Sequence, residues 1–246
     1  MPETQTVLYA TAESANHEYL SRATGYPVVA DARELSALEH EHITLVPACT
    51  SRDLSAITQA AQTMRWLKER DAHRTLIVAE PLSGDTYAIA RMRHHIRSLA
   101  GKADALLFVS ATVNPFADAE LIRRVRLARQ FSEDVEVDVA FDDVASSPSE
   151  AWPTPLAAAQ RLNMLGLESI TFIRADLYED PLGGQRTLFK DTALRAAVVA
   201  SVERARHRAG HGDDGIATGL LADHGAGFAH SHGDEDHDHT HHHHHH

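Results

Sequence analysis

A recurring series of short apolar runs, separated by amphipathic stretches, constrains the fold of this chain more than any other feature. The runs read TVLYA, ITLVPA, TLIVAE, ALLFVS, VEVDVAF and ITFIRA. Short runs rich in Val, Ile and Leu are typical of buried strands in parallel sheets. Between the runs, apolar residues recur at helical spacing, as at Ile89, Met92, Ile96 and Leu99. The sequence therefore predicts an α/β protein built from βα units, with parallel sheets flanked by helices.

Capping residues mark where several of these helices begin and end. Asp53 is placed to cap the helix that follows the ITLVPA run. Asn114-Pro115 and Thr154-Pro155 each put an N-cap residue before a first-turn proline, and Gly166 is expected to end the helix that Thr154 begins.

The chain also resembles itself. VLYATAES, near residue 7, pairs with LLFVSATVN, near residue 106, and ITLVPACTSRD, near residue 43, pairs with ITFIRADLYED, near residue 170. The paired strands lie 36 residues apart in the first half (43 minus 7) and 64 apart in the second (170 minus 106), so the first half has a shortened opening segment. We therefore expect two related Rossmann-like halves, residues 1–102 and 103–209, with a cleft between them. Ligands of such sheets bind at the carboxyl ends of the strands.

Composition indicates an ordinary protein of the cytoplasm. The chain has 246 residues, of which 43% are hydrophobic and 24% charged. No apolar run is long enough to span a bilayer, and the first residues, MPETQTVLYA, lack the basic and apolar regions of a signal peptide. The single cysteine, Cys49, excludes an intrachain disulfide. We expect a cytoplasmic location and no membrane partner.

Negative charge and histidine are concentrated at the C-terminus. The net charge is −12, and the seven acids beyond Ala209 are accompanied by no Lys or Arg. An acidic balance without basic clusters argues against nucleic acid as a partner. Residues 210–246 have few large apolar side chains, so they are predicted to be a disordered His/Asp-rich tail.

The end of this tail carries candidate metal ligands. The last six histidines have the look of an expression tag. Before them, His alternates with Asp, and the candidate ligands are His230, His232, His237 and His239. Imidazole with carboxylate suits Co²⁺, Ni²⁺, Zn²⁺ or Fe²⁺. The alternative is a solvated tail whose metal affinity is incidental.

Several segments, taken in order, resemble a known enzyme family. Three segments look like consecutive segments of the two-domain class II chelatases: LLFVSATVNPFADAELIRRVRLAR, VEVDVAFDDVASSPSEA and AAAQRLNMLGLESITFIRADL. A fourth, IVAEPLSGD, is similar to the closing strand and turn of that family. These are the sirohydrochlorin cobalt- and ferrochelatases of cobalamin and siroheme synthesis. The likeness covers most of residues 43–195 and rests on the ordered set. It implies a sirohydrochlorin-like tetrapyrrole and a divalent metal, Co²⁺ or Fe²⁺ with Ni²⁺ as a further option, as substrates, and no organic cofactor.

The chain departs from the family at the two histidines that the resemblance leads one to expect. The family places one in the turn after the first strand and one four residues before an Asp that opens the next helix. Thr11 and Cys49 stand at these positions. A cysteine at a helix N-terminus has a lowered pKa, so Cys49 is a candidate thiolate ligand, with a small buried residue as the alternative.

Four other residues are candidates for the same site. Glu13 is either a proton acceptor or a helix N-terminal acid, and Glu80 either faces the cleft mouth or forms a salt bridge in a loop. His17 lies within about a turn of Glu13, and Trp152 is placed in a Pro-rich loop where it could stack on a tetrapyrrole. The expected site comprises Thr11, Glu13, Cys49 and Glu80 as catalytic groups, His17 and Cys49 as metal ligands, and Trp152 as a tetrapyrrole contact.

Three functions remain open at this point. The first is a sirohydrochlorin-type chelatase that inserts Co²⁺ or Fe²⁺. The second is a non-catalytic relative that binds tetrapyrrole or metal, which the missing histidines favour. The third is a metal-delivery protein in which the tail binds the ion. The sequence leaves the oligomeric state open.

Overall fold

Two parallel four-stranded sheets form the framework of the protein. The computed structural model describes residues 4–130, 135–142, 152–178 and 186–223. The strands are β1 Gln5–Tyr9, β2 Val28–Val29, β3 His42–Pro47, β4 Thr75–Val78, β5 Ala105–Ala111, β6 Glu136–Asp142, β7 Ile170–Arg174 and β8 Arg186–Thr187. The first sheet has the order β2-β1-β3-β4 and the second β6-β5-β7-β8. The helices are α1 His17–Thr24, α2 Ala32–Ser36, α3 Leu54–Arg70, α4 Asp85–Leu99, α5 Pro115–Arg129, α6 Pro155–Met164, α7 Asp191–Gly210 and α8 Ile216–Leu220.

The two sheets repeat one topology, as the internal similarity of the sequence predicts. Val7 of β1 pairs with Leu45 of β3, and Leu107 of β5 pairs with Phe172 of β7. The shortened opening of the first half shows as the two-residue strand β2, whereas its counterpart β6 has seven residues. The predicted fold class, two related α/β halves with parallel sheets, is confirmed.

The predicted caps hold the starts of the helices that border the inter-half region. Asp53 accepts a hydrogen bond from the Ala56 amide at 3.0 Å, so α3 begins directly after the turn that follows β3. Asn114 accepts from the amides of Phe116 and Ala117, and Pro115 occupies the first turn of α5. These two long helices therefore start at the carboxyl ends of β3 and β5.

The halves are joined by helices that pack across the boundary between them. Helix α7 packs on α1, β3 and β4 of the first half, whereas α4 packs on α5 of the second. One apolar cluster accordingly includes Leu8 and Leu20 from the first half with Phe108 and Val198 from residues 103–209. The boundary expected at residues 102 and 103 stays a prediction, but each side contributes a helix to the other.

The predicted tail needs correction at its beginning, because residues 210–223 are part of the folded body. Gly210 ends α7, and α8 packs on α3. Ile216 is buried in the cluster beneath the first sheet, and the Val78 amide donates to the Asp214 carbonyl at 2.8 Å. Composition did not predict this helix, because a few small and apolar residues suffice for a short helix that packs into an existing groove. Residues 224–246, including His230, His232, His237 and His239, lie outside the described residues.

The helices of the described residues were compared with the length and hydropathy that a membrane span requires. None of its helices is both long enough and apolar enough to cross a bilayer.

Candidate functional site

The carboxyl ends of the two sheets face each other. Arg52 follows β3, and its Nη2 donates to the carbonyl of Ala111, the last residue of β5, at 2.6 Å. The amide of Leu177, just after β7, donates to the carbonyl of Glu13, just after β1, at 2.9 Å. Because ligands of parallel sheets bind at the carboxyl ends of the strands, the region between the halves is the candidate site.

A cleft of about 770 Å³ opens in this region. Its volume falls within the range of about 300–1,000 Å³ that is typical of small-molecule sites. Its lining includes the starts of α3, α4 and α5. The lining residues are Ser51, Arg52, Leu54, Ser55, Asp85, Asn114, Pro115, Phe116, Ala117, Glu120, Arg124 and Asp223. An apolar wall with a few polar groups is thus available for a flat ligand that has polar edges.

Arg52 connects the two halves beneath the cleft. Its side chain is fully buried, with Nε at 2.7 Å from a Glu13 carboxylate oxygen and Nη1 at 2.8 Å from Asp118. Nη2 also donates to the Ser110 hydroxyl at 2.9 Å. Burial opposes the charge of Arg52, but the contacts with Glu13 and Asp118 outweigh it and raise the pKa of the guanidinium.

Arg124 makes the reverse connection, from α5 of the second half to the first. Its Nη1 donates to the Thr50 carbonyl at 2.5 Å, and Nη2 lies 2.5 Å from Asp85 at the start of α4. Nε lies 2.8 Å from Glu120, one turn earlier on α5. Two buried arginines that reach in opposite directions therefore fix the floor of the cleft and the relative position of the halves.

A solved structure has the same arrangement of two halves. SirB from Bacillus subtilis with Fe3+ matches this chain with a TM-score of 0.54 and 13% sequence identity, over 86% of this chain and 100% of that chain. This chain has a chelatase-type fold. At 13% identity the likeness concerns the fold, and function has to be argued from the site. No family model matches the chain, and no curated protein matches it in sequence.

Three of the residues predicted from the sequence meet below the floor of the cleft. The Thr11 hydroxyl donates to the Ala48 carbonyl at 3.0 Å, next to Cys49. Glu13 accepts from the amide and hydroxyl of Thr50 at 2.7 and 2.8 Å. In this chelatase-type fold, Thr11, Glu13 and Cys49 are thus held together by strand-end hydrogen bonds, and Arg52 lies between Glu13 and the cleft.

Of the two alternatives for Cys49, the small buried residue describes it and the thiolate does not. Cys49 is fully buried, and burial raises the pKa of its thiol well above the ordinary value, with further contributions from the negative charges of Glu13 and Asp53. The thiol is therefore protonated at neutral pH. The helix dipole, which favours a thiolate, is outweighed here by the loss of solvent.

Glu80 does not join the other three predicted catalytic groups. Its carboxylate pairs with Arg204 at 2.8 Å and with Arg208 at 2.9 Å, both on α7, so the salt-bridged alternative describes it. The backbone of Glu80, which follows β4, is also tied to α7, because its carbonyl accepts a hydrogen bond from the Ser201 hydroxyl.

The other two candidates in the described residues also lie apart from the cleft lining. His17 is half-buried at the first position of α1. Trp152 is 72% exposed, precedes α6 and is not among the residues that line the cleft. Within residues 4–130, 135–142, 152–178 and 186–223, no three His, Cys, Asp or Glu side chains form a group that could hold a metal ion.

The two arginines of the cleft floor were missed by the sequence analysis. Arg124 could have been found, because it falls on the buried face of α5 that Leu121, Val125 and Ala128 define. A cation on an apolar helix face needs a carboxylate or carbonyl partner. Arg52 gives a weaker signal, because it lies in a turn and its partners are Glu13 and Asp118, far away in sequence.

Proposed function

We propose that the protein binds a sirohydrochlorin-like tetrapyrrole in the cleft between the halves and inserts Co²⁺ or Fe²⁺ into it. The observation that carries the proposal is the cleft itself. It has about 770 Å³, lies at the facing strand ends of a chelatase-type fold, and has an apolar wall formed by Leu54, Pro115, Phe116 and Ala117. Apolar and aromatic side chains suit the faces of a macrocycle.

Metal insertion requires that two pyrrole protons leave the macrocycle. The groups available at the cleft surface are the carboxylates of Asp85, Glu120 and Asp223. The side chain of Asp85 is 48% exposed although it contacts Arg124. We assign proton acceptance to Asp85 and Asp223, because both oxygens of Glu120 already accept hydrogen bonds from Arg123 and Arg124. In the same proposal Thr11, Glu13 and Cys49 support the floor, and Glu13 acts by holding Arg52 in place.

A second candidate function is tetrapyrrole binding without insertion. The observation that favours it is the state of the two residues at the family's histidine positions. The Thr11 hydroxyl is engaged by Ala48, and the Cys49 thiol is buried and protonated. Neither residue offers a metal or a pyrrole the lone pair that a neutral imidazole would supply.

An absorbance assay with sirohydrochlorin separates these possibilities, because insertion changes the spectrum of the macrocycle. The protein is mixed with sirohydrochlorin and Co²⁺, Fe²⁺ or Ni²⁺, and the spectral change is compared with the same mixture without protein. We expect faster insertion with protein, and a slower rate in the Asp85→Asn and Asp223→Asn variants. Glu203→Gln, which removes an exposed acid on α7, is the matched control and should insert at the wild-type rate.

The outcomes of this assay have distinct meanings. Binding of sirohydrochlorin without acceleration by any of the three metals would establish the second candidate. Absence of binding would overturn both.

A further inference from the structure

The two arginines of the cleft lining already have their partners within the protein. The side chains of Arg52 and Arg124 are 0% and 1% exposed. Each guanidinium nitrogen of both residues donates to a protein oxygen. The donors of a guanidinium lie in one fixed plane, so neither residue can turn toward a ligand without breaking these contacts. A carboxylate that enters the cleft therefore gains no ion pair from either arginine.

The charged groups that the cleft presents to a ligand are carboxylates. The side chain of Asp85 is 48% exposed and that of Glu120 is 25% exposed, and Asp223 is exposed as well. Within the described residues, the charged lining residues and their ion-pair partners are five acids and three arginines, namely Glu13, Asp85, Asp118, Glu120, Asp223, Arg52, Arg123 and Arg124. Acids outnumber cations, and the cleft is therefore negative where a ligand can reach it.

No Lys or Arg elsewhere in the chain is left to reverse this balance. The stretches outside the described residues are 1–3, 131–134, 143–151, 179–185 and 224–246, and they contain neither residue type. Arg123 is the exposed arginine beside the cleft, but it holds Glu120 through two nitrogens at 2.6 and 2.7 Å. A ligand carboxylate would have to compete with Glu120 for it.

The helix dipoles at the cleft are offset by acids of the helices themselves. The helices α3, α4 and α5 begin there, and the start of a helix carries a partial positive charge of about half a unit. Asp53 caps α3, Asp85 lies in the first turn of α4, and Asp118 lies in the first turn of α5. Each positive helix end thus has a carboxylate of its own, and a ligand carboxylate gains little from the dipoles.

We infer that the cleft selects tetrapyrroles whose buried edge carries uncharged substituents, such as amide, ester or alkyl groups, over those whose buried edge carries carboxylates. The inference rests on the proposed function, because it concerns the macrocycle that the cleft receives. A carboxylate brought to Asp85 or Asp223 meets a like charge and loses water. Within the sirohydrochlorin-like class, affinity therefore rises as carboxylates on the buried edge are replaced by neutral groups.

Two free-base porphyrins test this preference without a metal and without a measurement of activity. Uroporphyrin I bears carboxylates on every pyrrole ring, whereas mesoporphyrin IX bears propionates along one edge and only methyl and ethyl groups along the opposite edge. Fluorescence titration of the full chain measures both affinities. We expect mesoporphyrin IX to bind at least about tenfold more tightly at low salt. Added KCl screens the repulsion, so the affinity for uroporphyrin I should rise with salt.

Aspartate variants separate the effect of charge from that of apolar contact. Asp85→Asn with Asp223→Asn should strengthen uroporphyrin I binding about tenfold, because two like-charge contacts are removed. Mesoporphyrin IX binding should change less than about twofold, because an edge without carboxylates meets neither charge. Asp223→Asn alone breaks no ion pair within the described residues and should give part of the same gain. The matched control is Glu203→Gln, an exposed acid on α7, which should change neither affinity.

The outcomes distinguish this inference from the proposed function. If uroporphyrin I binds as tightly as mesoporphyrin IX, or gains no affinity when the charges of Asp85 and Asp223 are removed, the inference is overturned and the proposed function stands. Binding of sirohydrochlorin but of neither porphyrin would have the same meaning. Binding of none of the three macrocycles would overturn the proposed function and the inference with it.

Discussion

At the scale of single residues, the buried contact between Glu13 and Arg52 is a feature that the sequence did not predict. Both side chains are fully buried, and Arg52 also contacts Asp118 across the boundary between the halves. A buried ion pair contributes little net stability over apolar residues, but removal of one partner leaves a buried charge without compensation. Glu13 is therefore a structural residue of the cleft floor.

We predict that Glu13→Gln lowers the free energy of unfolding by about 3 kcal/mol, because Arg52 loses one of its two carboxylates inside the protein. Urea unfolding measures the effect. Glu69→Gln is the control, since Glu69 lies in an exposed pair with Arg65 and should change stability by about 0.5 kcal/mol or less. Equal unfolding midpoints for Glu13→Gln and the control would show that Arg52 does not depend on Glu13.

A second residue with an altered electrostatic state is His95, near the end of α4. Its side chain is buried, and within the described residues its Nε2 has no hydrogen-bond partner. Burial, followed by the positive charge of Arg91, lowers the pKa of His95 to about 4. Desolvation and neighbouring cations outweigh the helix dipole, so the ring is neutral in the folded protein.

A pH dependence of stability follows from this shift. The folded pKa of about 4 lies below the ordinary value of 6.5, so the unfolded chain takes up the proton first as the pH falls. His95 should therefore cost no stability above about pH 6.5 and progressively more toward pH 4, on the order of 2 kcal/mol. Urea unfolding of wild type and His95→Leu at several pH values measures the difference. If the two proteins lose stability in parallel, folding does not lower the pKa of His95.

At the scale of elements, most helices and strands could be predicted because local signals agree with the fold. The Asn114-Pro115 and Thr154-Pro155 caps start α5 and α6 as expected. The six apolar runs all contain strands, whereas β2 and β8 have two residues each and gave no periodic signal. Helix α8 was missed because five residues with an internal glycine have weak intrinsic helicity, and only packing on α3 stabilises them.

The packing of α8 predicts strong effects at Gly219 within the helix and at Gly215, its N-cap. Gly215 has a positive φ of 76°, and a Cβ there would lie 2.1 Å from the Val78 carbonyl oxygen; at Gly219 it would lie 2.7 Å from the Ala61 side chain. We expect Gly219→Ala to lower the melting temperature and Gly215→Ala to lower it more, by roughly 2 kcal/mol or more in stability.

The control for the glycine substitutions is Gly84→Ala, where a Cβ meets nothing within 4 Å. Thermal unfolding should show Gly84→Ala close to wild type. A Gly219→Ala protein that melts with this control would mean that α8 does not pack on α3.

At the scale of the whole molecule, the sequence predicts where the cleft lies but not what forms its floor. The internal repeat places the ends of β1, β3, β5 and β7 together, and Thr11, Glu13 and Cys49 do meet there. The ion pairs of Arg52 and Arg124 join residues that are 66 and 39 positions apart, and such distant pairings leave no local pattern. The crossing of α7 onto the first half is likewise decided by tertiary packing.

Sirohydrochlorin titration of two tryptophan variants on α3 tests the central claim, binding in the cleft, most directly. Ser55 lines the cleft, so Ser55→Trp should fill part of it and weaken binding at least about tenfold, a loss of about 1.4 kcal/mol. Gln62→Trp places the same side chain on an exposed position of the same helix and should bind as wild type does. Absorbance of the macrocycle measures both affinities. Our account predicts weaker binding by Ser55→Trp alone, and equal affinity of the two variants would contradict it.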